Sequence, residues 1–382
     1  MTRSRAVLIA WFLAAVLGPA AASAGVVNPD ISVLGQPFMR WTSDASDPSP
    51  KRVTFDPGEV EMVYDSYLNP YAKGTFVTSL ASEGLSLEEG YFTLFRGLPG
   101  GLALKGGKYR VGFGKLNQMH PHAVPFADRP HVLAAYLPGE ESFNETGVSL
   151  SERVPLPGTF SLTASGDWLQ GDTFRIPRAP SGSANDPLEA DPQGGDRAAE
   201  ARPALVGALS GFGSIGDRSG YEVGFYATGG TNNVSAAART TIYDAAGKLK
   251  LWTSANSYLL VQAELLRLDR EDAGWDSLAA AYTKTSVRPL GGYLYADYNL
   301  SPRYDAGLSY ERYQQPTPER TWDQSVGAFA GLALMEETTS FRLEWNRFMP
   351  GTPAGAISSL KSEDTVTLRV IYSMGPHKVH PF

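Results

Sequence analysis

Apolar and polar side chains alternate along much of the chain. The segments GTFSLTASGDW (158–168), EVEMVYDSYL (59–68) and TSFRLEWN (339–346) each place mostly apolar side chains on one face and mostly polar side chains on the other. A period of two residues sustained over about ten residues predicts half-buried β-strands. Sixteen segments are predicted as strands, near 30–43, 58–68, 71–82, 85–97, 101–114, 145–154, 158–169, 203–213, 219–229, 238–253, 256–269, 288–299, 302–314, 325–335, 338–348 and 363–374.

The connections between these segments sort by length. Every second connection is short and made of turn residues, such as NP (69–70), LPG (98–100) and SP (301–302). Most of the others are long, near 44–57, 115–144, 170–202, 270–287, 315–324 and 349–362. Tight turns at one rim and long loops at the other are typical of outer-membrane barrels. The chain is therefore predicted to be all-β, an antiparallel transmembrane β-barrel of about 16 strands with short periplasmic turns and long external loops.

The first 24 residues have the features of an export signal. Arg3 and Arg5 precede a short apolar run (6–16), and ASA (22–24) has the small residues of a cleavage site. A retained membrane anchor is the alternative, but the apolar run is short for a bilayer span. We predict a cleaved signal peptide over 1–24 and a single barrel domain over 25–382, located in the outer membrane of a Gram-negative bacterium.

Composition narrows the classes of partner. The chain has no Cys, which excludes disulfide bonds, thiolate metal sites and covalently attached c-type haem. The formal net charge is −7, and loss of Arg3 and Arg5 with the signal peptide would make it more negative. A nucleic-acid partner is therefore not expected. We expect outer-membrane lipid, lipopolysaccharide and small polar solutes instead.

The strand count predicts what the barrel encloses. Barrels of about 16–18 strands leave an aqueous channel, whereas about 22 strands enclose a plug domain. The alternation begins within about ten residues of the predicted cleavage site, which leaves no stretch for an N-terminal plug. A water-filled pore for passive diffusion is the expected function. Enzyme activity, catalytic residues and cofactors are not expected, because loop 115–144 lacks a clear nucleophile and no phosphate loop or H-E-x-x-H motif occurs.

The loop that follows the fifth predicted strand concentrates unusual residues. Three of the five His fall within GKLNQMHPHAVPFADRPH (114–131). The third external loop (115–144) is long enough to fold into the lumen and narrow it. Its second half, DRPHVLAAYLPGEE (128–141), predicts a short helix capped by Asp128, with Pro130 in the first turn. By contrast, the Pro- and Gly-rich composition of 170–202 predicts a mobile external loop.

Charged residues near this loop predict a pore constriction. After GG (106–107) the apolar parity of the strand changes, which predicts a glycine bulge that turns Lys108 and Arg110 into the lumen. Tyr109 and Phe113 would then face lipid. Opposed charges at a constriction select solutes by charge, although the same residues could simply pair across strands in the lumen. The predicted constriction comprises Lys108, Arg110, Lys115, Arg129, Asp128, Glu88 and Glu89.

Two histidines in the loop leave two hypotheses open. His120 and His122 could bind zinc or copper together with an acid such as Asp128. Alternatively, they hydrogen-bond the inward-folded loop to the barrel wall. His377 and His380 belong to the C-terminal tail at the opposite rim and are not expected to join them.

Several phrases resemble a family of Gram-negative outer-membrane porin-like proteins that is distantly similar to the phosphate-selective porins. The matching phrases are NPDISVLGQ (28–36), YLNPYAKGTF (67–76), LSLEEGYFTLFRGLPGGLALKGGKYRVGFGKLN (85–117), HPHAVPFADRP (120–130), ETGVSL (145–150) and the tail GPHKVHPF. The resemblance implies a porin for small polar or ionic solutes, without defining the solute, and the general porin fold implies a homotrimer. Two alternatives stay open: a metal-linked uptake protein, and a sheath around an electron-transfer or other partner protein.

Overall fold

The computed structural model describes residues 29–82, 84–139, 142–175, 202–276, 278–279, 281–335, 338–353 and 360–375. The predicted signal peptide, most of the predicted mobile loop 170–202, His377 and His380 lie outside these residues. Among the residues described, no helix is both long enough and apolar enough to cross a bilayer.

The described chain is almost entirely antiparallel β-structure. Its strands are β1 (Asp30–Gly35), β2 (Phe38–Thr42), β3 (Val53–Asp56), β4 (Val60–Asn69), β5 (Ala72–Ala81), β6 (Gly84–Leu94), β7 (Ala103–Arg110), β8 (Asn144–Pro155), β9 (Phe160–Leu169), β10 (Ala204–Ile215), β11 (Ser219–Asn233), β12 (Ala238–Trp252), β13 (Tyr258–Asp276), β14 (Ala281–Val287), β15 (Leu290–Ser301), β16 (Tyr304–Gln314), β17 (Trp322–Met335), β18 (Thr339–Met349) and β19 (Glu363–Met374). One α-helix, α1 (His131–Tyr136), lies between β7 and β8.

These strands make sixteen wall segments of a closed barrel. β1 and β2 lie one after the other along β19 and together form one segment. β3 and β4 together form the next segment, and β14 and β15, which both pair with β13, form another. Pairing of β19 with β1 and β2 closes the sheet, so the wall has no open edge. The structure confirms the predicted all-β fold and its sixteen antiparallel strands.

The two ends of the barrel differ as predicted. Connections such as 70–71, 216–218 and 302–303 are short, and they define the short-turn rim. The connection 43–52 and the described parts of the connections 111–143 and 350–362 begin and end at the other rim, the long-loop rim. The predicted loop 270–287 was wrong in part, because β13 and β14 continue through most of it as a paired hairpin.

The outer face of the barrel is apolar. Trp168 and Leu308 are each 66% exposed, and Phe225 is 61% exposed. On the inner face, Glu61 and Glu344 are 1% and 5% exposed. An exposed apolar surface of this extent on a soluble protein would be a liability, whereas a barrel in lipid requires it.

Candidate functional site

The chain between β7 and β8 folds into the barrel and builds an apolar core there. Val111, Phe113, Val132, Leu133 and Phe143 are at most 1% exposed. Their partners in the same cluster are inward-facing wall residues. Those wall residues are Leu169, Val206, Tyr226, Ile242, Leu266, Leu268, Tyr293, Tyr295, Tyr313 and Phe329.

The predicted glycine bulge in β7 was wrong. β7 pairs with β6 and β8 without any register shift. Tyr109 therefore faces inward, where its hydroxyl donates a hydrogen bond to Asp167 Oδ1 at 2.9 Å. Apolar side chains of a barrel strand usually face lipid, which is why Tyr109 and Phe113 were predicted on the outer face. The part of the lumen that packs against the loop is apolar, so Tyr109 and Phe113 are buried inside instead.

Lys108 consequently does not face the lumen. It pairs with Gly90, and a side chain added at Gly90 would meet Leu87 and Phe76, two exposed residues of the outer face. The Lys108 ammonium donates a hydrogen bond to the Leu87 carbonyl oxygen at 2.7 Å. Its predicted orientation is therefore corrected.

The irregularity lies in β6 instead. Val77 pairs with Glu89 and Thr78 pairs with Leu87, which leaves Glu88 as the extra residue of a β-bulge. A bulge breaks the strict alternation of a strand. Glu88 and Glu89 therefore both reach the loop, where regular alternation allows only one of them.

Charged residues of several wall segments bind the backbone of the loop. In β13, Glu264 Oε1 accepts hydrogen bonds from Lys115 N at 2.7 Å and Leu116 N at 2.9 Å. In β19, the Arg369 guanidinium donates to the carbonyl oxygens of Pro121, Val124 and Phe126. Further contacts come from Glu344 to Ala127 N and from Glu311 to Val132 N.

Sequence reasoning missed these wall residues, although a signal was available. Glu264, Glu311, Glu344 and Arg369 are charges at inward, buried positions of alternating strands. A buried charge at such a position needs a partner, and that partner can lie elsewhere in the lumen.

The loop helix forms with a different start from the one predicted. Helix α1 follows Pro130, which offers no capping side chain, and Glu311 of the wall accepts a hydrogen bond from Val132 N in its first turn. The Asp128 carboxylate contacts the Arg40 guanidinium of β2 instead. Asp128 is therefore neither a cap nor a neighbour of His120.

His120 lies among three glutamates of the barrel wall. Its Nδ1 is 2.8 Å from Glu61 Oε2 and 3.7 Å from Glu88 Oε2. Its Nε2 is 2.9 Å from Glu89 Oε1. The His122 ring stacks on it with a centroid separation of 5.7 Å, and His122 Nδ1 is 3.7 Å from Glu61 Oε2.

The surroundings of the loop shift the pKa values of two of its cations. Burial disfavours the charged form of His120, but the adjacent Glu61 and Glu89 carboxylates outweigh burial and raise the pKa to about 9. Burial, with repulsion from Arg110, lowers the pKa of Arg129 to about 10. Arg129 therefore remains charged at neutral pH, and its guanidinium donates a hydrogen bond to Asn117 Oδ1 at 2.8 Å.

The remaining residues of the predicted constriction form ion pairs. Arg110 donates to Glu88 Oε2 at 2.8 Å and to the Met119 carbonyl oxygen at 3.3 Å. Lys115 pairs with Glu222 of β11. The structure brings Arg110, Glu88 and Glu89 together around His120. Lys115 lies elsewhere in the lumen, and in the described part of the chain it makes no contact with His120.

Several cavities surround the loop inside the barrel, three of them with volumes of 290 Å³ or more. An outer cavity of 290 Å³ near the long-loop rim is lined by Arg40, Asp44, Asp128, His131, Glu311 and Glu344, among others. An inner cavity of 410 Å³ is lined by Lys105, Lys115, Lys248, Asp167 and Glu222 together with Ser and Thr side chains. A middle cavity of 380 Å³ shares Met119 with the inner cavity, and it shares Phe126, Asp128 and Arg129 with the outer one.

Comparison with known proteins supports the fold and gives little on function. No family model matches the chain. An uncharacterized protein of Aquifex aeolicus (strain VF5) is 31% identical over 261 residues, which are 64% of this chain and 51% of that protein. The chain thus spans about half the length of this relative.

Solved structures of outer-membrane proteins share the architecture. In-vitro folded OmpT of Vibrio cholerae, an outer membrane protein, matches with a TM-score of 0.52 and 10% identity over 92% of this chain and 100% of that chain. Its trimer form has a TM-score of 0.52 at 10% identity, over 91% and 100% of the two chains. Salmonella typhi OmpF in complex with daunomycin has a TM-score of 0.55 at 9% identity, over 91% and 97%. The chain therefore has the fold of an outer-membrane barrel.

Proposed function

We propose that the protein is a porin of the Gram-negative outer membrane. Small polar or ionic solutes would diffuse passively through a water-filled path that loop 115–144 narrows. The observation that carries this proposal is the series of three cavities, because the middle cavity shares lining residues of the loop with each of the other two. Solutes would pass beside the loop rather than through a single wide opening.

Charge along this path would set the preference for solutes. The outer cavity is rich in carboxylates, including Asp44, Asp47, Glu311 and Glu363. The inner cavity presents Lys105, Lys115 and Lys248. A passage lined in turn by each sign of charge favours small polar or dipolar solutes over large ions of one sign. Of the predicted constriction residues, Arg110, Lys115, Asp128 and Arg129 keep this role in the proposal.

The outer face of the barrel indicates which molecules would surround the protein. The apolar outer surface fits lipid and lipopolysaccharide, and the trimer form of the similar Vibrio cholerae barrel suggests a homotrimer here. A sheath for a partner protein is less suited to this lumen, since the loop already fills its centre with packed side chains. Transport without catalysis is what we propose for the barrel.

Conductance in planar lipid bilayers tests the proposal. Purified protein should insert in discrete steps with ohmic current. Lys105→Gln, which removes a cation from the inner cavity, should move the reversal potential in a salt gradient toward cation preference. Lys108→Gln is the matched control, because Lys108 is in the same strand but faces outward.

Two results would count against a channel. Protein that inserts in folded form and carries no current would reject it outright. Equal shifts for Lys105→Gln and Lys108→Gln would show that the current does not pass through the inner cavity.

A further inference from the structure

The cluster around His120 joins three separate elements of the barrel. Glu61 comes from β4, Glu88 from the bulge of β6, and His120 from the inward-folded loop. One ligand atom from each of these residues lies within 4.8 Å of the other two. His120 Nδ1 is 2.8 Å from Glu61 Oε2 and 3.7 Å from Glu88 Oε2. Glu61 is 1% exposed, so its carboxylate is effectively removed from bulk water.

The hydrogen bond at Nε2 of the His120 ring leaves Nδ1 as the nitrogen that can bind a metal ion. A carboxylate can only accept, so the 2.9 Å contact with Glu89 Oε1 requires a proton on Nε2. Nδ1 lies 2.8 Å from Glu61 Oε2, and while this nitrogen carries a proton the contact is a hydrogen bond between imidazolium and carboxylate.

A metal ion would replace the proton on Nδ1 and would offset the buried negative charges of Glu61 and Glu88. The separations of 2.8 Å and 3.7 Å from His120 Nδ1 bracket the spacing of two ligands on one ion. For ligands about 2.1 Å from a tetrahedral zinc, that spacing is about 3.4 Å. Small movements of these side chains would therefore complete a coordination shell.

The groups behind the ligands also fit a metal centre. Metal-binding histidines usually donate their second ring N–H to a carboxylate, as His120 does to Glu89. Glu89 is held in turn by the Arg110 backbone N–H at 3.0 Å. The Arg110 guanidinium binds Glu88 Oε2 at 2.8 Å. His122 Nδ1, at 3.7 Å from Glu61 Oε2, lies within reach as a further ligand.

We propose that Glu61, Glu88 and His120 bind a divalent first-row transition metal, with Zn²⁺ as the best-fitting ion. An imidazole nitrogen with carboxylate oxygens suits zinc and its neighbours, whereas Mg²⁺ and Ca²⁺ prefer oxygen-only shells. The bound ion would tie the loop to two wall segments. The site depends on the packing of the loop and stands whether or not the barrel conducts.

The test uses untagged, folded, full-length protein in detergent after treatment with a chelator. Calorimetric titration with ZnCl₂ should show one ion per protomer, and excess MgCl₂ should not compete. Glu61→Gln and His120→Gln should each weaken zinc binding by at least about tenfold, the scale that even supporting residues of metal sites reach. His131→Gln is the control, because this second loop histidine contacts Glu311 away from the cluster, and it should bind zinc like wild type.

Folding of each variant is checked by its heat-modifiable migration on gels. X-ray absorption of zinc-loaded wild type gives a readout that does not depend on the folding of any variant. One imidazole with oxygen ligands at about 2.0–2.1 Å is expected. Zinc binding that survives His120→Gln unchanged, an absorption spectrum without imidazole, or no binding to wild type would each overturn the site.

Discussion

At the scale of single residues, charged side chains in the lumen of this barrel are engaged by other groups of the protein itself and are not free to bind solute. A loop with little secondary structure leaves many backbone N–H and C=O groups that must find partners when buried. Glu264 accepts from two such N–H groups, and Arg369 donates to three carbonyl oxygens. A lumen charge is therefore a weak indicator of a solute site unless its partners are known.

His131 offers a test of this role through pH. Burial disfavours its charged form, but contact with Glu311, with added attraction from Asp323 and Glu363, raises its pKa above the ordinary value. The folded state thus holds this proton more tightly than the unfolded state. The contribution of the pair to stability is complete below about pH 6.5 and is lost as pH rises through the folded-state pKa.

His131→Gln should therefore lower the thermal midpoint of the folded barrel most in mildly acidic buffer. The difference from wild type should shrink as the buffer becomes alkaline. His120 titrates in both proteins, so its effect cancels in the comparison. The His131 ring also stacks on Phe348 with a centroid separation of 4.7 Å. A difference that stayed constant with pH would assign the effect to that packing.

At the scale of elements, one glycine sets how the loop enters the lumen. Gly114 has a φ of +67°, and an added Cβ would lie 2.4 Å from Glu264 Oε2 and 2.7 Å from Asp244 Oδ2. Glu264 is the residue that holds Lys115 N and Leu116 N. A side chain at this position would therefore displace the anchor itself.

Gly114→Ala should release the start of the loop. Trypsin should then cleave the folded protein after Lys115 faster than it cleaves wild type. Gly101→Ala is the matched control, since Gly101 has a φ of +81° but nothing within 4 Å of an added Cβ. Both variants carry a left-handed alanine that costs about 1–2 kcal/mol, and only Gly114→Ala disturbs Glu264. Equal cleavage in the two variants would mean that backbone strain alone loosens the loop.

The strands could be read from the sequence, and the interior could not. A period of two is a local property, so β9 and β18 follow directly from alternation of Ser, Thr and Glu with aromatic and aliphatic residues. Which side chains of β7 face inward depends on what fills the lumen. Tyr109 faces inward because loop residues far along the chain make that space apolar. The bulge at Glu88 left no comparable signal, since the residues directly beside it are Leu87 and Glu89 and neither is Gly or Pro.

The neighbours of the histidines were likewise not predictable from the sequence. The sequence singled out His120 and His122, but it paired them with Asp128 because that acid is close along the chain. In the fold, the acids beside His120 are Glu61 and Glu88, brought there by two wall segments. Asp128 contacts Arg40 instead. Side chains that meet across a barrel are separated by its topology, which spacing in the sequence does not record.

At the scale of the whole molecule, the barrel reverses the usual distribution of polarity. Polar and charged side chains line the inner wall away from the loop, while large apolar side chains cover the outside. The hydrophobic effect then favours a barrel surrounded by lipid over one surrounded by water. Two neighbouring residues of β16 separate these environments, since Leu308 is exposed on the outer face and Ser309 lines the outer cavity.

This contrast predicts opposite results for the same substitution at adjacent positions. Leu308→Lys should destabilise the protein folded in phospholipid vesicles by about 2–4 kcal/mol, because a lysine near the middle of the bilayer loses its hydration. Ser309→Lys should be tolerated far better, since its ammonium enters a cavity lined by Glu311 and Glu344. Guanidinium unfolding followed by tryptophan fluorescence measures both. Equal losses would place Leu308 outside the lipid and would argue against a membrane-spanning barrel.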